Sequence, residues 1–338
     1  MRLTARRRTL RLAESFAIAR SSRDETEVVE VSLEHDGLTG FGEGAPVDFW
    51  GESIESMLGF IDAEAPALLG EDPFALEAIG ERLGERPGEQ GAKQALDGAL
   101  HDWVGKRIGQ PVWRLLGLEP ASAPTSYTIG IDSVEGTADR ARRAAGFEVL
   151  KVKVGGADDL LRLEAVRDAS EARVRVDGNE AWTLETAREL MPTLVEMGVE
   201  LIEQPFPADD IESSRALREL SPRVPVVIDE GCRDLASVAA IAEYADGINI
   251  KLAKAGGLRE AMRMVHAARA LALGVMLGCM LESQLGIAHA AQMASLVDYV
   301  DLDGHLLIAD EPWTGLGLES GTVLPSSEAG LGVRAVAP

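Results

Sequence analysis

The chain has 338 residues, 46% of them hydrophobic, enough for a large core and for more than one small domain. Its 33 basic side chains face 56 acidic ones, a net charge of −23, which argues against nucleic acid and anionic membrane as partners and suits a soluble cytoplasmic enzyme. Cys232 and Cys279 form no C-x-x-C pair, so neither a disulfide framework nor a zinc ribbon is expected, and no apolar run reaches the roughly 18 residues of a membrane helix.

Up to about residue 45 the pattern is that of strands: TLRL, EVVEVSLEHDG and LTGFGEG, with Gly37 and Gly40 marking a hairpin turn. Arg2, Arg6, Arg7, Arg8 and Arg11 read as a solvated strand face, because no apolar segment follows them as it would in a targeting peptide. The polar stretch ESFAIARSSRDETE reads as a mobile loop. From about 52 to 116, SIESMLGFIDAEAPALLG and AKQALDGALHDWVGKRIG carry apolar residues at helical spacing.

From about 125 the chain alternates. TSYTIGI, EVLKVKV, ARVRVDG, VELIEQP, VPVVIDE, GINIKLA, GVMLGCM and YVDLDG read as strands, with helical stretches such as TLETARELMPTLVEMG and GLREAMRMVHAARALALG between them. Eight strands at this rhythm predict an α/β fold, a barrel rather than an open doubly wound sheet. No G-x-G-x-x-G follows the first strand, so dinucleotide binding has no support. The Gly-rich segment after about 313 is expected to run back to the N-terminal unit. The predicted division is an α+β cap, 1–118 completed by 313–338, and a barrel, 119–312.

The polar residues that end successive strands carry the chemistry: Lys151 and Lys153, then Asp177, Glu203, Asp229 and Lys251. A parallel barrel brings such residues to one mouth. Lys151 and Lys153 are two apart and share a face, so mutual repulsion and desolvation are expected to lower their pKa values toward a usable base. Three carboxylates suit a hard dication such as Mg²⁺, and the absence of a histidine cluster nearby argues against zinc. Asn179 shares a face with Asp177 and is expected to support it; Glu230, next to Asp229, is expected to point away from it.

The ordered K-x-K, D-x-N, E-Q-P, D-E and N-I-K-x-x-K-x-G-G elements resemble the enolase superfamily, muconate lactonizing enzyme subgroup, over nearly the whole chain. ALDGALHDWVGKRIGQPVWRLLG resembles that family's linker into the barrel. The resemblance implies a modified TIM barrel, (β/α)7β, with an α+β capping domain. It implies that Asp177, Glu203 and Asp229 ligate Mg²⁺, with Mn²⁺ as a substitute, and that Lys153 and Lys251 are the acid/base pair on opposite faces of the substrate. Lys151 would support Lys153 and the substrate carboxylate. Two departures are a trimmed stretch from Gly155 to Arg173, which affects the loop after the second barrel strand, and Gly178 where alanine is usual.

Because the subgroup hosts several reactions on one site, the reaction must come from other residues. Asp301 and Asp303 in YVDLDGHL are two apart and should both face the mouth, offering counter-charge to a cationic substrate group. This D-x-D resembles the element by which dipeptide epimerases hold the α-ammonium of a dipeptide. The implied activity is 1,1-proton transfer at the C-terminal residue of a dipeptide, foremost L-Ala-D/L-Glu; the alternative is a lyase or cycloisomerase such as o-succinylbenzoate synthase or muconate cycloisomerase. Arg20 or Arg23 would meet a distal carboxylate on the substrate. Phe49 and Trp50 are candidates to exclude water, and Cys279, Met280, Glu282 and Ser283 candidates to line the pocket. His305 lies near the mouth with no role assigned. The resemblance leaves a homo-oligomer open.

Overall fold

The computed structural model describes the chain apart from residues 64, 71, 221, 222 and 338. Its first sheet is antiparallel, built from β1 (Arg2–Ile18), β2 (Ser21–His35) and β3 (Leu38–Gly44) in that order. The polar stretch expected to be a mobile loop is strand instead. It extends the β1–β2 hairpin, which resumes pairing at Phe16↔Arg23 after a register shift between Arg11 and Phe16. This tip has no buried face, so no apolar alternation announces it.

Gly37 lies in the next hairpin turn with φ 74°, beside Asp36 at φ 47°. Gly40 does not; it belongs to β3 and serves packing. A Cβ at Gly40, Gly42 or Gly44 would stand 2.1, 2.0 or 1.9 Å from the carbonyl oxygens of Ala99, Ala95 and Gly91. Three alternate glycines therefore let the cap helix Gln90–Ile108 lie directly on the strand. That helix has no solvated stripe because it is buried between this sheet and the barrel, with residues such as Leu96, Ala99 and Trp103 fully covered.

The second sheet has eight parallel strands: β4 (Ser126–Ile129), β5 (Val149–Lys153), β6 (Arg173–Asp177), β7 (Leu201–Glu203), β8 (Val226–Ile228), β9 (Gly247–Lys251), β10 (Gly274–Gly278) and β11 (Tyr299–Asp301). Neighbours in the sheet are neighbours in sequence, and a parallel bridge between Thr125 and Val300 joins its two edges. This is the expected barrel. Helices follow the first seven strands, and a short 3-10 turn, Gly304–Leu307, follows the eighth.

Alternation divides each strand between two environments. Val152, Val176, Ile202, Ile228, Ile250 and Leu277 pack outward against the helices. Inside, Leu201, Val227 and Met276 pack with Tyr299 as an apolar plug. One layer above the plug, toward the carboxyl ends of the strands, come the charged side chains. The last segment touches both parts. Trp313 Nε1 donates to Glu30 and the Leu331 amide to Asp102 in the cap, while Thr125 N in the barrel donates to Gly321 O. On strand and helix order we propose 119–312 as the barrel and 1–118 with 313–338 as the cap.

Candidate active site

The hairpin tip, the Asp48–Trp50 turn and the carboxyl ends of the barrel strands enclose a cavity of about 530 Å³. Its walls include Lys151, Lys153, Lys251, Asn179, Glu230, Asp301, Asp303, Arg20, Arg23 and Phe49. Asp177, Glu203 and Asp229 lie beneath these groups and are fully buried. Strand register sets the neighbours: Lys153 pairs with Asp177, and Asp177 with Glu203.

The lysines are not mutually repelling bases. Lys151 Nζ lies 2.5 Å from Asp301, 2.9 Å from Glu203 and 3.1 Å from Asp177. Lys153 Nζ is 2.6 Å from Asp177, and Lys251 Nζ is 2.7 Å from Asp229. Burial pulls Lys151 down, but three carboxylates outweigh it and hold the ammonium well above its ordinary value. Lys251 is raised in the same way, burial being outweighed chiefly by Asp229. The expected lowering of Lys151 is therefore reversed, because its partners arrive from strands far away in sequence.

The carboxylates respond in step. Burial raises Asp177, but Lys153 and Lys151 bring it down to about 2. Burial and the charge of Asp177 push Glu203 up to about 7. Glu203 Oε1 accepts a 2.7 Å bond from Asn249 Nδ2, whereas Oε2 has no hydrogen-bond partner although Lys151 Nζ is 2.9 Å away. An all-oxygen donor set with a raised, under-satisfied carboxylate fits a hard dication. Among the described residues one His/Asp trio brings ligand atoms within 4.8 Å of one another, Asp97, His101 and His289, and it lies at the cap–barrel contact, away from this cavity.

Asp301 and Asp303 do face the cavity, with different surroundings. Asp301 accepts from Lys151 and, at 2.6 Å, from Ser126 Oγ. Asp303 accepts a 2.6 Å bond from the Thr128 amide, and burial together with Asp301 raises it to about 6. Asp303 is thus the carboxylate not already engaged by a lysine. Glu230 turns from Asp229 to Arg20, 2.8 Å away, and to Asn179 Nδ2, 3.2 Å away, while still lining the cavity. Asn179 also donates its amide to Asp177 Oδ1 at 3.0 Å. Arg20 stacks over Phe49, and Arg23 pairs with Asp48. Phe49 makes an edge contact with Trp50. Cys279 and Met280 line the cavity. Glu282 and Ser283 face the cap instead, bonded to Gln94 and Glu43. His305 is buried and pushed down to about 4 by that burial.

Three residues of the E-Q-P and N-I-K-x-x-K-x-G-G elements, with no role evident from the sequence, also support the site. Lys254 Nζ donates to Asp229 Oδ1 at 2.5 Å and to Asn249 O at 3.0 Å. Gln204, at φ 33°, accepts from the amides of Asp229 and Gly231. Asn249 and Lys251 stand two apart on one strand, a signal available in the sequence. The trimmed loop after β5 closes on Asp159, which accepts from the amides of Gly155 and Gly156. At Gly178 a Cβ would stand 2.8 Å from Pro205 Cα, so glycine relieves a tight backbone approach.

Residues 2–117 match the mandelate racemase/muconate lactonizing enzyme N-terminal domain, and residues 134–336 the enolase C-terminal domain-like family. An L-Ala-D/L-Glu epimerase of Bacteroides thetaiotaomicron is 36% identical over 331 residues, 97% of this chain and 86% of the relative. A substrate-liganded L-Ala-D/L-Glu epimerase from Bacillus subtilis superposes with a TM-score of 0.94 at 29% identity, covering 100% of this chain and 99% of that one. A dipeptide epimerase from Enterococcus faecalis V583, complexed with Mg and L-Leu-L-Tyr, gives 0.92 at 31% identity and covers 98% of each chain. The chain belongs to the mandelate racemase/muconate lactonizing enzyme family of the enolase superfamily, as an enzyme of the isomerase class.

Proposed function

We propose that the protein is a Mg²⁺-dependent dipeptide epimerase that inverts the α-carbon of the C-terminal residue, with L-Ala-D/L-Glu as its substrate. The observation that carries this reading is the order of functional groups around the barrel. In the eight-strand circuit β5, with Lys153, lies four strands from β9, with Lys251, so the two amines face each other across the mouth. Asp177, Glu203 and Asp229 occupy β6, β7 and the end of β8 on the arc between them, and β11, with Asp301 and Asp303, lies across from β7.

A dipeptide fits this order with its carboxylate toward β6–β8, its ammonium toward β11 and the C-terminal α-carbon between the lysines. Asp177, Glu203 and Asp229 would hold Mg²⁺, with Mn²⁺ as a substitute. The cation supplies charge that acidifies the proton next to the substrate carboxylate. With Asp177 and Asp229 holding a dication, Lys153 and Lys251 would lose their closest carboxylate partners. One then takes the α-proton while the other, still charged, returns one to the opposite face. Lys151, held charged by Asp301, keeps positive charge at the substrate carboxylate. Asp303 meets the α-ammonium, and Arg20, released from Glu230, meets the γ-carboxylate of glutamate, with Arg23 close by. Asn179 keeps Asp177 in place, and Glu230 holds Arg20 until the substrate arrives.

No helix among the described residues is long and apolar enough to cross a membrane. A cytoplasmic homo-oligomer acting on free dipeptides, without nucleic acid or membrane as partner, completes the proposal. Replacing Asp301 and Asp303 together with Asn should abolish epimerisation of L-Ala-L-Glu. Retained turnover of a substrate without an ammonium group, alongside no dipeptide activity in the wild type, would favour the lyase or cycloisomerase.

A further inference from the structure

We propose that Asp97, on the cap helix, is a positioning residue for Lys251, so that docking of the cap aligns one of the two lysines. The proposal rests on the reading of Lys251 as an acid/base group. After Lys251 the chain makes a single turn, Leu252–Ala255, reverses through Gly256 and Gly257, and enters the helix Leu258–Ala270. The turn is anchored on one side by Lys254, which donates to Asp229 and to Asn249 O. Gly256 N and Gly257 N both donate to Leu252 O, at 2.7 and 3.2 Å.

The far side of the turn is held by the cap. The helix after it begins at Gly257, whose missing side chain offers no capping group. Asp97 supplies one from the other domain: its Oδ2 accepts the Leu258 amide at 2.8 Å. A carboxylate at a helix N-terminus meets unpaired N–H groups and the positive end of the dipole. The approach is close enough that a Cβ on Gly257, at φ 125°, would stand 2.5 Å from Asp97 Cγ.

Asp97 is itself fixed from two directions. His289, on the helix that follows β10, places Nε2 3.0 Å from Oδ2, and His101, one turn along the cap helix, places Nδ1 3.4 Å from Oδ1. Burial disfavours the charge, but the two imidazoles hold the carboxyl well below its ordinary range. Mutual hydrogen bonding accounts for the closeness of this trio, and no metal is needed to explain it. A charged, doubly tethered carboxylate thus ties the cap to the far end of the turn, at Leu258, seven residues after Lys251. Lys153 stands across the barrel and has no link to it.

That asymmetry provides the test. Each lysine should remove the α-proton from only one of L-Ala-L-Glu and L-Ala-D-Glu. Deuterium exchange of both would be followed in D₂O at saturating Mg²⁺, with Lys153→Ala and Lys251→Ala assigning the faces. Asp97→Ala should slow exchange roughly 10- to 100-fold for the diastereomer that depends on Lys251. Exchange of the other should stay within about threefold, and KM should not change. Asp97→Asn keeps an acceptor for the Leu258 amide and should recover most of the rate. Gly257→Ala, which strikes the same contact from the opposite side, should reproduce the one-sided loss if Asp97→Ala does not fold. Parallel slowing of both diastereomers, or no slowing in a folded Asp97→Ala, would overturn the proposal. A wild type that exchanges neither diastereomer would overturn the epimerase reading and the proposal with it.

Discussion

Asp303→Asn isolates the proposed ammonium site from the rest of the centre. Asp303 contacts the Thr128 amide through Oδ2, and no lysine is bonded to it, whereas Asp301 is the 2.5 Å partner of Lys151. Asparagine can keep an acceptor for Thr128 and removes only the charge. An ammonium about 4 Å from a carboxylate gains about 4 kcal/mol at an effective dielectric near 20. Asp301 and admitted water retain part of that, so a loss of about 2–3 kcal/mol is expected, roughly 30- to 150-fold in kcat/KM. Most of it should fall on KM, because the ammonium is bound alike before and during proton transfer. The pH profile gives a second readout. Burial and Asp301 raise Asp303 to about 6, and only its ionised form attracts the ammonium. In the wild type kcat/KM should therefore rise with pH through about 6, and the variant should lack that limb. Steady-state kinetics from pH 5 to 8 at saturating Mg²⁺ would check both. A variant within threefold of wild type, or one whose loss vanishes at higher Mg²⁺, would refute the assignment of Asp303 to the ammonium.

Other perturbations separate the parts of the molecule. Asp301→Asn should act mainly on kcat, since it strips Lys151 of its closest partner; a pure KM effect would contradict that division. Gly42→Val should destabilise the cap by about 1–3 kcal/mol or more by urea unfolding, because a Cβ there would stand 2.0 Å from Ala95 O. Burial raises Glu311 from 4.5 to about 7, so its contribution to stability is full below about 4.5 and is lost as pH rises through 7. Glu311→Gln should therefore gain in Tm over wild type as pH rises from 4.5 to 7 and level off above. Chelation of divalent cations should abolish activity, Mg²⁺ or Mn²⁺ should restore it, and Asp177→Asn or Asp229→Asn should not recover.

The barrel could be read from the sequence because β5 to β9 and β11 each close an apolar run with a polar residue, and the ordered set of such residues survives the folding. The electrostatics could not. Lys151 and its partner Asp301 are 150 positions apart, so the sequence shows two neighbouring lysines and hides the three carboxylates that surround them. The β1–β2 tip is hidden in the sequence because it has no buried face and so no apolar alternation. Gly40 reads as a turn in the sequence because glycine signals both turns and close packing, and only the position of the cap helix decides between them. Lys254 stands in the N-I-K-x-x-K-x-G-G element without an evident role, because it lies on a helical turn rather than a strand, where two-residue alternation no longer indicates which side chains converge.

The central claim is a proton transfer at the α-carbon of a dipeptide's C-terminal residue, and proton NMR in D₂O tests it most directly. With Mg²⁺ and L-Ala-L-Glu, the α-proton signal of the glutamate should disappear while signals of L-Ala-D-Glu grow, and the alanine α-proton should persist. A glutamate α-proton that survives unchanged, across a panel of acidic, hydrophobic and cationic dipeptides and with Mg²⁺ shown to bind, would contradict it.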